Sequence, residues 1–184
     1  MQARQSRPFE IAPGDRTPRQ AALVERISAG PRGRVPINLR AWLHNPDFVD
    51  VVEPFGLYVT ELAAITKRQK EIVVLVGAHF WQAGYEQAMH VNHARKQGIG
   101  EAQIAALCEG RKPDFSDPVE SLTWELAYTL NHQRHVGDDL HRRALEQFGH
   151  KGVSDLIGLI GLYTMIAMTL NFYDVPRPAA AGSN

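Results

Sequence analysis

Apolar residues recur along the chain at helical intervals, in segments whose starts are clearly marked. Three segments begin with a capping residue followed by a proline at the first helical position: Thr17-Pro18, Asn45-Pro46 and Asp117-Pro118. A fourth begins at Thr66, with Gln69 three residues later in the capping-box pattern. No segment shows the period-two alternation of a strand. The pattern predicts an all-α protein with helices over residues 18–29, 46–64, 67–82, 85–97, 101–109, 118–135, 138–148 and 151–172.

Length and composition predict one soluble domain over residues 1–184. The chain has 184 residues, is 44% hydrophobic and carries 20 basic and 20 acidic side chains. A chain of this size buries enough surface to fold without disulfides or a structural metal. Its single cysteine, Cys108, excludes an intrachain disulfide and a CxxC redox pair. With zero net charge there is no global attraction to nucleic acid or anionic membrane, so we expect neither partner.

The longest uncharged apolar stretch, Leu156 to Leu170, is shorter than the roughly 20 residues that a membrane-spanning helix needs. The first eight residues lack the apolar region of a secretory signal. We therefore expect no membrane span and a cytoplasmic location.

The ends of the chain differ from its body in charge and complexity. Residues 1–40 hold eight basic and three acidic side chains, whereas 41–184 hold an acidic excess. We expect residues 1–16 to form a flexible arm. This arm is solvated, lies on an acidic surface of the same or another subunit, or binds an anionic substrate. Residues 176–184 are predicted to form a frayed tail.

The segment from Glu71 to His93 holds the candidate chemistry. Residues 72–78 are almost wholly apolar, which predicts a helix buried on most faces. After Ala83-Gly84, the spacing of Glu86, His90 and His93 places the three side chains on one face of the next helix. A solvated polar face, a proton-transfer site and a metal site would all give this spacing, and the three interpretations stay open.

Glu71, Ala83, Glu86 and His90 have the spacing of a known motif. In the redox branch of the carboxymuconolactone decarboxylase family, which includes alkylhydroperoxidase D, a glutamate is followed by cysteines at +12 and +15 and a histidine at +19. This chain keeps the glutamate and the histidine and replaces both cysteines. Together with the segment around His44 and the ending over 152–171, the motif resembles a cysteine-free subgroup of that family. The resemblance covers residues 35–175 and implies an all-α bundle of about eight helices.

The missing cysteines disfavour thiol peroxidase activity, because peroxide reduction needs a thiolate nucleophile and a resolving thiol. Cys108 is interpreted as a buried structural thiol.

The resemblance implies instead a carboxy-lyase that acts, without a cofactor or metal, on a small unsaturated carboxylic acid or lactone in aromatic degradation. Glu71, Glu86 and His90 are then the catalytic candidates, with histidine suited to proton transfer near neutral pH. The candidate substrate-binding residues are Trp81 and Tyr85 as a wall and hydrogen-bond donors, His93, and Arg34 and Arg40 as a carboxylate clamp.

Two other functions remain open. One is a metal-dependent enzyme that uses His79, Glu86, His90 and His93 in some combination, although His79 on its apolar helix also suits a hydrogen-bonded core histidine. The other is a non-catalytic binding member of the fold. The resemblance further implies a homo-oligomer, a trimer or a hexamer, with the paired core helices at subunit interfaces.

Overall fold

The computed structural model describes residues 6–178, and within them the chain forms eight α-helices and no strand. The helices are α1 Pro18–Ala29, α2 Ile37–Trp42, α3 Pro46–Leu57, α4 Lys67–Phe80, α5 Gly84–Lys96, α6 Glu101–Cys108, α7 Pro118–His132 and α8 Asp138–Phe172. The predicted all-α bundle is confirmed.

The predicted helix starts are confirmed by their caps. The hydroxyl of Thr17 accepts a hydrogen bond from the amide of Gln20, and Thr66 does the same for Gln69, with the reciprocal glutamine bond present in both capping boxes. The side chains of Asn45 and Asp117 cap α3 and α7. Each cap satisfies amide groups that a helix start leaves without an intrahelical partner.

The sequence prediction missed one helix and placed the end of another too late. Helix α2 was missed, because it has only six residues and no side-chain cap. Helix α3 ends at Leu57 rather than residue 64, and continues as a π-helical turn, Tyr58–Leu62. Pro54 lies inside α3 and has no amide hydrogen for the helical pattern, which fits a change of hydrogen-bond register just beyond it.

Helix α8 is interrupted at Gly149, whose backbone has φ 63° and ψ 175°. This left-handed φ suits glycine, which has no β-carbon. The break separates 138–148 from the apolar helix that follows, as the sequence predicted.

The core is built around α4, which packs against α5, α6, α7 and α8. Residues 71–78 of this helix are all buried, and Val74 and Leu75 have no exposed surface. Apolar side chains on every face suit a helix surrounded by others. The burial predicted for this segment therefore arises inside one chain and needs no second subunit.

Residues 7–9 of the predicted flexible arm are held against the body of the bundle, whereas the flexibility of the arm as a whole stays a prediction. Phe9 is buried and packs against the ring of Tyr173 at 5.1 Å, while the amide of Arg7 donates to the carbonyl of Tyr173 at 2.8 Å. The ring of His44 hydrogen-bonds the carbonyl of Phe9 at 2.9 Å. An apolar anchor thus fixes this segment to the C-terminal end of α8. Residues 1–5, and residues 179–184 of the predicted frayed tail, lie outside the described part of the chain.

One helix in the described residues, α8, is long and apolar enough to cross a membrane by length and composition alone. The core helix of a soluble protein passes the same test, and the break at Gly149 divides this one. The expected absence of a membrane span therefore stays a prediction.

Candidate active site

A cavity of about 250 Å³ opens between α2, α3, the π-helical turn, α4, α5 and α8. Of the predicted site residues, Arg34, Arg40, Tyr85, Glu86, His90 and His93 line it. The cavity has the size of a small organic molecule, and acidic, basic and aromatic side chains converge on it.

Glu71 and His90 form a buried pair at the cavity. Nδ1 of His90 lies 2.6 Å from Oε2 of Glu71, and the side chains are 12% and 2% exposed. Burial alone raises the pKa of Glu71, but the hydrogen bond and charge of His90, together with Lys70, outweigh it and hold that pKa below its ordinary value. Glu71 is therefore a carboxylate that orients the imidazole of His90.

Glu86 is a buried carboxyl group without a hydrogen-bond partner in the described part of the chain. Its side chain lines the cavity, the residue is only 3% exposed, and neither carboxyl oxygen has a hydrogen-bond partner among the described residues. Burial raises the pKa of Glu86 well above its ordinary value. A carboxylic acid held neutral in this way can donate a proton or a hydrogen bond to a ligand.

The solvated-face interpretation of the α5 stripe is wrong for its first three members. Glu86 is buried and His90 and His93 are half-buried, while Gln97, one turn farther on, is exposed. The N-terminal part of α5 packs against α4 and α8, and its polar side chains therefore face the cavity instead of solvent.

His93 completes a group of three possible metal ligands. A ligand atom from each of Glu71, His90 and His93 lies within 4.8 Å of the others. Burial, followed by the charge of His90, lowers the pKa of His93, so its ring is neutral near neutral pH. The predicted metal set needs correction, because Glu71 takes part while His79 and Glu86 do not.

His79 and Trp81 lie away from the cavity. Nδ1 of His79 is 3.0 Å from the carbonyl oxygen of Cys108, the expected contact of a structural histidine. The indole of Trp81 packs edge-to-face on Phe80 at 5.3 Å and is not part of the cavity wall. The structure therefore does not support Trp81 as the substrate wall, whereas Tyr85 does line the cavity.

The two predicted clamp arginines have different surroundings. Nη1 of Arg40 lies 2.8 Å from Oε1 of Glu10, so its charge is already paired. Arg34 is exposed and makes no ion pair with the described residues. Both line the cavity; Arg40 is half-buried, and its Nε has no hydrogen-bond partner among the described residues.

The cavity residues that sequence reasoning missed include Arg32, Lys70 and Tyr163. Nζ of Lys70 lies 3.5 Å from Oε1 of Glu71, and the ring of Tyr163 meets the ring of His90 edge-to-face at 5.2 Å. Lys70, a cation one residue before Glu71 at the edge of an apolar run, was a usable signal. Arg32 and Tyr163 carry no such signal, because they come from loop and helix segments distant in sequence.

Comparisons with known proteins concern the family and the fold of the chain. Residues 46–128 match the model of the carboxymuconolactone decarboxylase family. No curated protein matches the chain.

Three solved structures share the fold. One is an alkylhydroperoxidase AhpD core, an uncharacterized peroxidase-related protein from Ralstonia eutropha JMP134. Its TM-score is 0.74 at 15% identity, and the match covers 94% of this chain and 92% of that one. An uncharacterized peroxidase-related protein from Silicibacter sp. TM1040 has a TM-score of 0.76 at 13% identity, covering 97% and 95%. A cysteine-to-alanine variant of the debrominase Bmp8, in complex with 2,3,4-tribromopyrrole, has a TM-score of 0.73 at 12% identity, covering 96% and 94%.

The family match spans the helices that carry Glu71, Glu86 and His90, and the solved structures reproduce the whole bundle. The resemblance to the carboxymuconolactone decarboxylase family is thus confirmed over residues 46–128, and the chain has the AhpD-like fold.

Proposed function

We propose that this protein is a cofactor-free carboxy-lyase, or a closely related proton-transfer enzyme, for a small unsaturated carboxylic acid or lactone such as 4-carboxymuconolactone. The observation that carries the proposal is the buried carboxyl of Glu86, which lines the cavity without a hydrogen-bond partner among the described residues. A buried polar group without a partner costs free energy, and a ligand that bonds to it recovers that cost.

The reaction needs an acceptor for the electron pair of the broken bond and an acid that supplies a proton. When the carbon–carbon bond to the carboxylate breaks, CO2 leaves and the electron pair delocalises through the C=C bond to the lactone carbonyl oxygen. A proton must then be added at carbon. Glu86 is held neutral by burial and supplies this proton.

The Glu71–His90 pair completes the proton transfer. The carboxylate of Glu71 fixes the orientation of the His90 ring through the 2.6 Å contact with Nδ1. His90 then returns a proton to Glu86, directly or through a water molecule, after each turnover. His93 and Tyr85 form part of the substrate-binding wall.

The fold neighbours support a small cyclic substrate without naming it. The debrominase of this fold is in complex with 2,3,4-tribromopyrrole, a planar five-membered ring. A lactone ring of similar size fits the 250 Å³ cavity of this chain.

Turnover of 4-carboxymuconolactone tests the proposal directly. Purified protein is incubated with the lactone, and CO2 release is followed with and without a chelator. We expect release that a chelator does not change and that Glu86→Gln lowers at least about 100-fold. The exposed carboxyl of Glu25 provides the control variant, Glu25→Gln, which is expected to keep full activity. Absence of CO2 release would rule out this substrate, and full activity of Glu86→Gln would rule out the mechanism.

A second candidate is metal-dependent chemistry, favoured by the convergence of Glu71, His90 and His93. Two imidazoles and one carboxylate suit a divalent transition metal with open positions for water or substrate. Elemental analysis of protein purified without a metal-affinity tag distinguishes the two. Less than about a tenth of an equivalent of bound metal eliminates this candidate, whereas near-stoichiometric metal and loss of activity with a chelator establish it.

We also infer a homo-oligomer, a trimer or a hexamer, from an apolar face on α3 and α8. Val51 of α3 is 73% exposed, and Ile157 and Met168 of α8 are 51% and 47% exposed. Phe55 of α3 lies against Gly158 of α8, which makes the two helix faces continuous. Exposed apolar patches of this kind mark protein interfaces, and a second copy of this chain is the partner we expect.

A further inference from the structure

Arg32 lies in the wall of the cavity, in the connection between α1 and α2. Its guanidinium rests against α3 at Gly56, where a β-carbon would come within 3.3 Å of Nη2. Glycine at this position lets the guanidinium lie directly on the helix. The Arg32 side chain is only 22% exposed, less than the 40% of Arg40.

Within the described residues, the guanidinium of Arg32 forms a long ion pair with Glu53 but donates no hydrogen bond. Nε is buried and has no hydrogen-bond partner among the described residues, although Oε1 of Glu53 lies 3.5 Å away. Glu53 offsets part of the charge, but the donors of the guanidinium remain available. Because buried donors without acceptors cost free energy, this side chain is suited to binding an anionic group from the cavity.

Tyr163 presents a second donor to the same cavity. Its hydroxyl makes no hydrogen bond with the described residues, and its ring is held by the edge-to-face contact with His90. Burial, followed by the charge of Glu71, raises the pKa of Tyr163, and the charge of Arg32 opposes that rise. The phenol therefore stays protonated, and Arg32 is close enough to act on it electrostatically.

We propose that Arg32 and Tyr163 form a subsite for the negatively charged oxygens of the substrate, in which the guanidinium binds a carboxylate and the phenol donates to an adjacent oxygen. Arginine suits this task because its planar donors match the geometry of a carboxylate. The subsite rests on the proposed function, for which it supplies the group that binds the carboxylate of the substrate. In this proposal Arg32 takes the anion-binding role predicted for Arg34 and Arg40. Tyr163 takes the role of hydrogen-bond donor that was predicted for Trp81.

Binding of maleate, a small unsaturated dicarboxylate, tests the subsite without requiring turnover. Titration calorimetry is expected to show saturable binding to the wild-type protein. Arg32→Met should weaken it at least about tenfold and Tyr163→Phe about threefold to tenfold, as expected for a lost charged and a lost neutral hydrogen bond.

Matched variants control for changes in folding and net charge. Arg26→Met removes an arginine that pairs with Asp50 on the surface, and Tyr128→Phe removes a half-buried hydroxyl outside the cavity. Both should bind maleate like the wild type. Failure of the wild type to bind maleate, or wild-type affinity in Arg32→Met or Tyr163→Phe, would overturn the subsite.

Kinetics separate this subsite from the proposed reaction. If the protein releases CO2 from 4-carboxymuconolactone, Tyr163→Phe should lower kcat about 100-fold while KM changes less than about threefold, because charge on the oxygen develops in the transition state. If the protein binds maleate through Arg32 and Tyr163 but releases no CO2, the proposed reaction fails and the anion subsite stands.

Discussion

The imidazole of His90 and the carboxylate of Glu71 lie 2.6 Å apart, and this contact joins α5 to α4 at the wall of the cavity. Glu71 and His90 are 19 residues apart in the sequence. They come into contact because their two helices pack antiparallel across the short turn before Gly84. An imidazole fixed in this way keeps one ring nitrogen on the carboxylate, which leaves the other for chemistry in the cavity.

Replacing His90 tests the proton-transfer role of this pair. His90→Gln removes the imidazole ring but keeps a polar side chain, and we expect CO2 release to fall about 10²- to 10⁴-fold. The control is His141→Gln, an exposed histidine of α8, which should retain full activity. Steady-state assays at neutral pH check both, and wild-type activity in His90→Gln would contradict the role.

The difference in stability between Glu86→Gln and the wild type should depend on pH. Because the folded-state pKa of Glu86 is raised above its ordinary value of 4.5, folding takes up a proton above that pH, and stability is lost as pH rises toward the folded value. The amide variant has no proton to take up. Relative to the wild type, its free energy of unfolding should therefore rise by about 1.4 kcal/mol for each pH unit within this window.

Urea unfolding at pH 4.5, 6 and 8 measures this difference. Glu25→Gln, at an exposed position of α1, should show no comparable trend. A stability difference between Glu86→Gln and wild type that stays constant with pH would contradict the raised pKa.

Two glycine substitutions separate backbone strain from steric overlap. Gly33 has φ +63° with open space around it, whereas a β-carbon on Gly110, at φ +69°, would overlap Nε2 of His79. Gly33→Ala should cost about 1 kcal/mol of unfolding free energy, because a β-carbon disfavours a left-handed φ. Gly110→Ala should cost roughly 2–4 kcal/mol, because crowding of the buried ring adds to that strain. If urea unfolding shows the same loss of unfolding free energy for both variants, the ring of His79 moves away from the new β-carbon without a cost.

Peroxidase activity through Cys108 is not expected. Burial raises the pKa of the Cys108 thiol, which leaves little thiolate near neutral pH, and the chain has no second cysteine to resolve an oxidised one. With cumene hydroperoxide and dithiothreitol, the wild type and Cys108→Ser should consume peroxide equally, at the rate of the uncatalysed mixture. Faster consumption that depends on Cys108 would restore a redox function.

Charges on the apolar face should dissociate the inferred oligomer. The double substitution Val51→Glu and Ile157→Glu places carboxylates on α3 and α8, where burial in an interface would be costly. Sedimentation velocity should show a trimer or hexamer for the wild type and monomer for the variant. Ser28→Glu, on the exposed side of α1, is the control that should leave assembly unchanged. A monomeric wild type would contradict the inferred assembly.

Helix positions were predictable where local chemistry fixes them. Thr17, Thr66 and Asp117 mark helix starts because their side chains bond amides two or three residues away, a contact contained in the sequence itself. Helix α2 and the π-helical turn were not, because neither has a distinctive pattern of its own and packing decides their geometry.

The sequence by itself determined the class of fold, the family motif of Glu71 and His90, and the absence of the paired thiols of redox chemistry. Only the tertiary structure decided that Glu86 is buried without a partner among the described residues and that His79 lies apart from the site. It also placed Arg32 and Tyr163 in one cavity. Caps and helical periodicity act over a few residues, whereas burial and the lining of a cavity depend on which helices meet, and those contacts join residues far apart in the chain.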